Sequence, residues 1–295
     1  MERWKRRRKL RVGIVSKPTR RAIELATSTI ERLEKAGHQI VMDRATASSL
    51  EQRGSGGSYE KHELGSEAEL VVTFGGDGTL LSIARHAPRD TPIIGVNMGT
   101  LGFLTEIRTD ELDDVLDMAL EGRAPIEPRN TLDVTVQNPR SKDSYRVLND
   151  AVVNKGALAR IIDIHVEVDG KFVTVFRADG LIISTPTGST AYNLSAGGPI
   201  IYPTLDAIVV TPICPHTLTN RPIVLPDSSE VTLRFQKTRE EIFLTLDGQQ
   251  AIPVDEDDTV YVKKSDRTVA LVQSPTKDYF DVLRGKLKWG EGPGG

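Results

Sequence analysis

Cysteine is almost absent from this chain: Cys214 is the only one among 295 residues. No intrachain disulfide can form, and the neighbours Pro212-Ile213-Cys214-Pro215 read as a strand end rather than a redox or metal motif. A reducing cytoplasm is the simplest compartment for such a sequence. The five histidines do not cluster with that cysteine, so nothing suggests a transition-metal site. His216, in Pro215-His216-Thr217, has no carboxylate close by in sequence and reads as a loop histidine. Long apolar runs are lacking too. None approaches the roughly 18 residues a membrane span needs. The basic start, Met1 to Lys9, is followed by an apolar segment, Leu10 to Val15, that Arg11 and Gly13 interrupt and that no cleavage site follows. It reads as a solvated tail rather than a signal peptide. A net excess of either charge is lacking: the formal net charge is −3, without the broad basic field of a nucleic-acid binder.

What is present is ordinary globular composition, 38% hydrophobic and 27% charged. The length suits two domains or one large one. Leu10–Val15, Gln39–Met42, Glu69–Phe74 and Pro92–Val96 read as short buried strands. Arg20–Ala36 carries apolar residues at helical spacing, with Gly37 at its end as a cap. Residues 44–66, rich in Ser, Gly and charge, read as a long surface loop. A helix is expected from about Leu80 to His86 and an acidic amphipathic one from Asp110 to Leu120. Strands alternating with helices imply a parallel sheet covered on both faces. The pattern changes near Pro125–Pro128. Beyond it, β-branched runs recur at Leu132–Val136, Ile161–Val168, Phe172–Phe176, Leu181–Ser184, Ile208–Val210, Val231–Phe235, Ile242–Leu246 and Val260–Lys263. Asp169-Gly170 and Asp247-Gly248 are hairpin signals. This half reads as an all-β, sandwich-like domain. Helical spacing returns at Asp278–Trp289.

Three clusters carry chemistry. Gly75-Gly76-Asp77-Gly78-Thr79 follows a buried strand and opens a helix, at the carboxyl end of a parallel strand where open α/β sheets bind ligands. Its glycines let backbone N–H groups approach a phosphate. It is neither a P-loop nor a Gly-x-Gly-x-x-Gly fingerprint. A carboxylate aimed at phosphate would repel it, so Asp77 needs another job: accepting a proton from an attacking hydroxyl, or helping to hold Mg²⁺. The plainer alternative makes Asp77 a helix N-cap. The second cluster, Asp179 to Pro199, runs from an apolar strand into hydroxyl-bearing residues and glycines. Thr190, Tyr192 and Ser195 offer hydroxyls to a polar, heterocyclic ligand. Asn149-Asp150, at a strand boundary, suits reading a base edge or ribose, or forms an Asx turn.

Together with Asn97-Met98-Gly99-Thr100-Leu101-Gly102-Phe103-Leu104, these motifs make the sequence resemble the NAD kinase family, of prokaryotic type, from Val12 to about Trp289. The first motif is shared with diacylglycerol, sphingosine and phosphofructokinases. Ser184-Thr185-Pro186-Thr187-Gly188-Ser189-Thr190-Ala191-Tyr192 with Ser195-Ala196-Gly197-Gly198-Pro199 is more particular to NAD kinases. The resemblance implies an α/β N-terminal domain with a parallel sheet (1–127), an all-β sandwich-like NAD-binding domain (128–275), and a C-terminal helix or tail (276–295) returning to the first domain. It implies transfer of the terminal phosphoryl group of ATP, or of polyphosphate as in some relatives, to the adenosine-ribose 2′-hydroxyl of NAD. Mg²⁺ or another divalent cation would accompany ATP. Asp77 would be the proton acceptor. Gly75, Gly76, Gly78 and Thr79 would line the phosphate-donor loop. NAD would meet Asp77, Gly78, Asn149, Asp150, Arg160, Arg177, Asp179, Thr190, Ala191, Tyr192, Asn193, Leu194, Ser195 and Gln249. No nucleic-acid or membrane partner is expected. A homodimer or homotetramer is, because relatives generally assemble and residues 130–270 hold many strands whose edges need cover.

Overall fold

The computed structural model describes residues 9–51, 54–88, 90–156, 161–217, 219–237 and 241–289. The chain divides into two compact units, Met1–Pro128 with Val269–Gly295, and Arg129–Thr268.

The first unit begins with β1 (Arg11–Ser16) and α1 (Arg20–Lys35). Helix α1 buries Ala22, Ala26, Thr29, Ile30 and Leu33, one face at 3.6-residue spacing. Gly37, at φ +87°, ends it. The Gly37 N–H donates to Glu34 O and the His38 N–H to Leu33 O, the paired bonds of a Schellman cap. Then come β2 (Gln39–Asp43), α2 (Arg44–Ser49), β3 (Ser58–Tyr59), α3 (Lys61–Glu67), β4 (Leu70–Gly75), α4 (Asp77–Ala84), β5 (Pro92–Asn97) and α5 (Leu112–Leu120). The expected 44–66 loop is therefore corrected. Asp43 caps α2 through Thr46 N, and Glu60 and Glu63 form a capping box on α3. Those side-chain bonds stabilise two short helices whose few apolar residues leave no readable period.

The second unit contains β6 (Ile126–Gln137), β7 (Lys142–Val147), β8 (Asp150–Lys155), β9 (Ile162–Val168), β10 (Lys171–Ala178), β11 (Gly180–Ser184), a 3-10 turn (Thr187–Thr190), α6 (Tyr192–Ser195), β12 (Ala207–Ile213), β13 (Ile223–Pro226), β14 (Val231–Phe235), β15 (Ile242–Leu246), β16 (Gln250–Val254) and the start of β17 (Thr259–Val272). One sheet runs β10-β9-β14-β17, with β6 beside β17 and β7 beside β6. The other runs β13-β12-β11-β8-β15-β16, antiparallel throughout. Side chains from both enter one core, among them Val166, Leu233 and Val260 from the first and Val153, Ile183 and Leu244 from the second. That makes the unit a sandwich. Both hairpin signals give left-handed pairs, Asp169 and Gly170 at φ +52° and +72°, Asp247 and Gly248 at +50° and +64°.

The end of β17 belongs to the first unit, where Ala270 and Leu271 pair in parallel with Pro92 and Ile93 of β5. The parallel order there is β17-β5-β4-β1-β2-β3. Helix α7 (Tyr279–Leu287) follows, opened by an Asp278/Asp281 capping box. Lys277 pairs with Glu111 at 3.0 Å, tying the tail to the start of α5. No helix among the described residues is long and apolar enough to cross a membrane.

Candidate active site

In the first unit, β4 delivers Gly75 directly into α4. A Cβ on Gly75 would lie 2.2 Å from Thr79 Oγ1, so the sharp strand-to-helix passage requires glycine there. Gly76 is the N-cap and Asp77 the first helical residue, which corrects the alternative that Asp77 caps the helix. Its carboxylate instead reaches across to the segment after β5. Oδ1 accepts from Leu104 N (3.1 Å), Thr105 N (3.0 Å) and Thr105 Oγ1 (2.9 Å), and Oδ2 accepts from Phe103 N (2.9 Å). Oδ2 thus carries one donor where an oxygen can take two. Gly102 lets the segment come this close, because a Cβ there would stand 2.1 Å from Asp77 Oδ1. Asn97, at the end of β5, holds the loop from inside: Nδ2 donates to Thr100 O and Thr105 O, and Oδ1 accepts from Gly99 N. Helix α7 braces the same loop, with Lys286 Nζ 5.7 Å from the centre of the Phe103 ring. The Asn97–Leu104 motif therefore orients Asp77. Gly78 is exposed and Thr79 half-buried on the first turn of α4.

In the second unit, most of the hydroxyl-rich run is spent on its own backbone. Thr185 Oγ1 donates to Leu148 O (2.6 Å) and accepts from Gly188 N (3.0 Å). Ser189 Oγ donates to Pro186 O and accepts from Ile201 N. Thr190 Oγ1 donates to Thr187 O (3.3 Å). Asn193, wholly buried, donates to Ser189 O and Pro199 O and accepts from Thr211 Oγ1. Its side chain shapes the loop rather than facing outward. Tyr192 and Ser195 are exposed, and Ala191 and Leu194 partly so. Around this loop Asn149 Oδ1 and Thr187 Oγ1 are buried with no hydrogen-bond partner among the described residues. A buried acceptor left unpaired costs about 1–3 kcal/mol, a cost that a water or a ligand group would relieve.

Asp150 lies next to Asn149, 4% exposed. Burial, and then the nearby Asp247 carboxylate, push its carboxyl up to about 7. Because the unfolded group titrates near 3.8, the folded protein holds this proton more tightly. Asp150 therefore contributes stability below about pH 4 that is lost as the pH rises through about 7. Asp150→Asn should consequently be more stable than the parent at pH 8, by about 2–4 kcal/mol, with the difference disappearing towards pH 4. Urea unfolding of both proteins at the two pH values measures it; an equal or lower midpoint at pH 8 would count against the buried, charge-opposed carboxyl.

The other expected contacts are more scattered. Asp179 pairs with Lys155 at 3.4 Å, and Arg177, largely exposed, stands 3.9 Å from Asp163. Gln249 is exposed beside the Asp247-Gly248 turn. Arg160 lies outside the described residues. Sequence reasoning missed Thr187, whose only signal was its place inside the run, and Asp247, which it saw merely as a turn former. Asp247 Oδ1 accepts from Asn149 N (2.7 Å) and Asp150 N (3.2 Å), and Oδ2 from Leu148 N (3.0 Å). No group of three His, Cys, Asp or Glu side chains among the described residues is arranged to hold a metal ion.

Comparison with known proteins adds an independent line. Residues 12–124 match the family model of the ATP-NAD kinase N-terminal domain, and residues 148–274 that of the ATP-NAD kinase C-terminal domain. The chain is 53% identical over 234 residues to the NAD kinase of Geotalea daltonii, covering 79% of this chain and 82% of the relative. It is 44% identical over 287 residues to that of Syntrophotalea carbinolica, covering 95% and 99%. Among solved structures it is similar to a yeast NADH kinase complexed with NADH, with TM-score 0.87, 26% identity, and 96% and 88% of the chains covered. It is also similar to an NAD kinase from Archaeoglobus fulgidus in complex with ATP, with TM-score 0.73, 26% identity, and 95% and 99% covered.

Proposed function

The chain belongs to the NAD kinase family, and from that premise we propose which of its residues carry the ATP-dependent phosphorylation of NAD to NADP. Asp77 supports the assignment most directly: a carboxylate at the start of a helix, after a Gly-rich turn, fixed by four donors yet with acceptor capacity left on Oδ2. It orients the adenosine-ribose 2′-hydroxyl and takes its proton. Phosphoryl transfer has a loose transition state in which positioning and electrostatics supply most of the rate. The proton leaves late, so a carboxylate suffices as base. Gly75, Gly76, Gly78 and Thr79 form the phosphate-donor loop at the positive end of α4. A divalent ion would accompany the donor and would offset the charge that develops on the transferred group.

Acceptor recognition falls to the second unit. Asn149 and Thr187 offer buried atoms that lack partners among the described residues, Tyr192 and Ser195 offer exposed groups, and Asp150, Asp179, Thr190, Ala191, Leu194, Arg177 and Gln249 complete the proposed set. Asn193 supports the loop. The protein works in the cytoplasm, where its lone exposed thiol, Cys214, is at no risk of mispairing. It assembles as a homodimer or homotetramer, so light scattering at micromolar concentration should report a multiple of 32.4 kDa; a lone 32.4 kDa species would contradict this.

Radiolabelled γ-phosphate offered with Mg²⁺ to a panel of acceptors tests the reading. Label should enter NAD, with nicotinamide mononucleotide inert because it lacks the adenosine half. Adenosine should react slowly, because it forgoes the binding energy of the remote half. Label in diacylglycerol or a long-chain base would instead identify a lipid kinase, and NAD binding without transfer a dinucleotide sensor.

A further inference from the structure

We infer that Asp247 is a positioning residue for acceptor binding, acting through the backbone of Asn149 and Asp150; this rests on the assignment of those two residues to NAD. Asp247 sits in the turn between β15 and β16, closed by Gln249 N donating to Leu246 O at 2.9 Å. Asn and Gly suit such a left-handed position at least as well as Asp. The turn alone therefore does not explain a carboxylate that is only 6% exposed. Three consecutive backbone amides do: Leu148, Asn149 and Asp150 all donate to it, at 2.7 to 3.2 Å. The Asp247 N–H donates back to Asp150 O at 3.0 Å. Successive N–H groups converging on one anion fix the intervening peptide planes, and the directions of the Asn149 and Asp150 side chains follow. Gly188 packs against the same stretch, since a Cβ there would meet Asn149 O at 2.1 Å.

The carboxylate also sets the electrostatics of the pair. The groups facing Asp150 are Ser184, opposite it on β11 and uncharged, and Asp247 from the β15–β16 turn. Lys155, further along Asp150's own strand, is paired with Asp179. Removing the Asp247 charge should therefore make Asp150 ionise at lower pH.

The test is Asp247→Asn in the full-length protein, with NAD affinity and NADP formation followed from pH 5 to 9. The amide keeps one acceptor oxygen but turns an N–H towards Leu148 N–H, loosening the clamp and deleting the charge. The dissociation constant for NAD should rise about tenfold or more, while turnover at saturating NAD changes by less than about threefold. The pH-dependent loss of stability that Asp150→Asn removes should be complete at a lower pH in Asp247→Asn, as urea unfolding reads it. A folded Asp247→Asn protein with parental affinity and pH profile overturns the proposal. Hydrogen exchange on the unaltered protein needs no variant to fold. The Leu148, Asn149 and Asp150 amides should be protected without ligand, and exchange at the rate of exposed loops would also overturn it. If the parent neither binds NAD nor forms NADP, the assignment of the reaction fails instead, while the exchange measurement still judges the clamp.

Discussion

Asp77→Asn should lower turnover about 10²–10⁴-fold, the usual loss when general-base help is removed, with NAD affinity within a few-fold of the parent. The amide retains an oxygen for Leu104 N and Thr105, but its NH₂ then faces Phe103 N–H in place of Oδ2. Stability should fall only by the order of one hydrogen bond, about 1 kcal/mol. A companion, Gly102→Ala, leaves Asp77 in the chain but displaces its carboxylate, because the new methyl would stand 2.1 Å from Oδ1 and 2.3 Å from Thr105 Oγ1. Turnover should drop there too, without any change in titratable groups. Steady-state assays at saturating ATP and NAD, alongside thermal unfolding, read both effects. Near-parental turnover in Asp77→Asn would reduce Asp77 to a clamp for residues 103–105 and leave the reaction without its base.

Gly188→Ala should be severely damaging to the second unit. Its Cβ would lie 2.1 Å from Asn149 O, 2.5 Å from the carbonyl carbon and 2.7 Å from Cα. These are backbone atoms held by Thr185 N and the Asp247 clamp, so no side-chain rotation relieves the clash. Overpacking of this kind costs roughly 3 kcal/mol or more, a fall in Tm of about 6–12 °C at this chain size. NAD binding should fall with it, because the atoms forced to move belong to Asn149. Calorimetry and NAD titration measure the two losses; a Tm within about 2 °C of the parent and unchanged affinity would contradict the packing around the loop.

The α/β half was legible because its signals are local. The apolar face of α1, the cap at Gly37 and the strand running into Gly75–Thr79 each occupy a few consecutive residues. The strands of the sandwich were legible where alternation was clean, as in β9, whose Ile162, Ile164 and Val166 point inward. Strand β7, with one fully buried residue among six, and edge strand β16 gave no pattern to read. Helices α2 and α3 rest on side-chain caps rather than on an apolar stripe, so a Ser- and Gly-rich composition hid them.

The sequence by itself determined the family, the two kinds of sheet, and the chemistry available at Asp77 and Asn149-Asp150, since motif spacing and residue type are properties of short segments. Only the tertiary structure decided what each of those groups does. Asp77 is oriented by amides 26 to 28 positions away and Asn149 by a carboxylate 98 positions away. The same geometry separates Thr187, whose buried hydroxyl has no partner among the described residues, from Asn193, whose side chain is consumed inside the loop. Hydrogen-bond satisfaction depends on which distant strands are brought together, and a one-dimensional pattern carries no record of that.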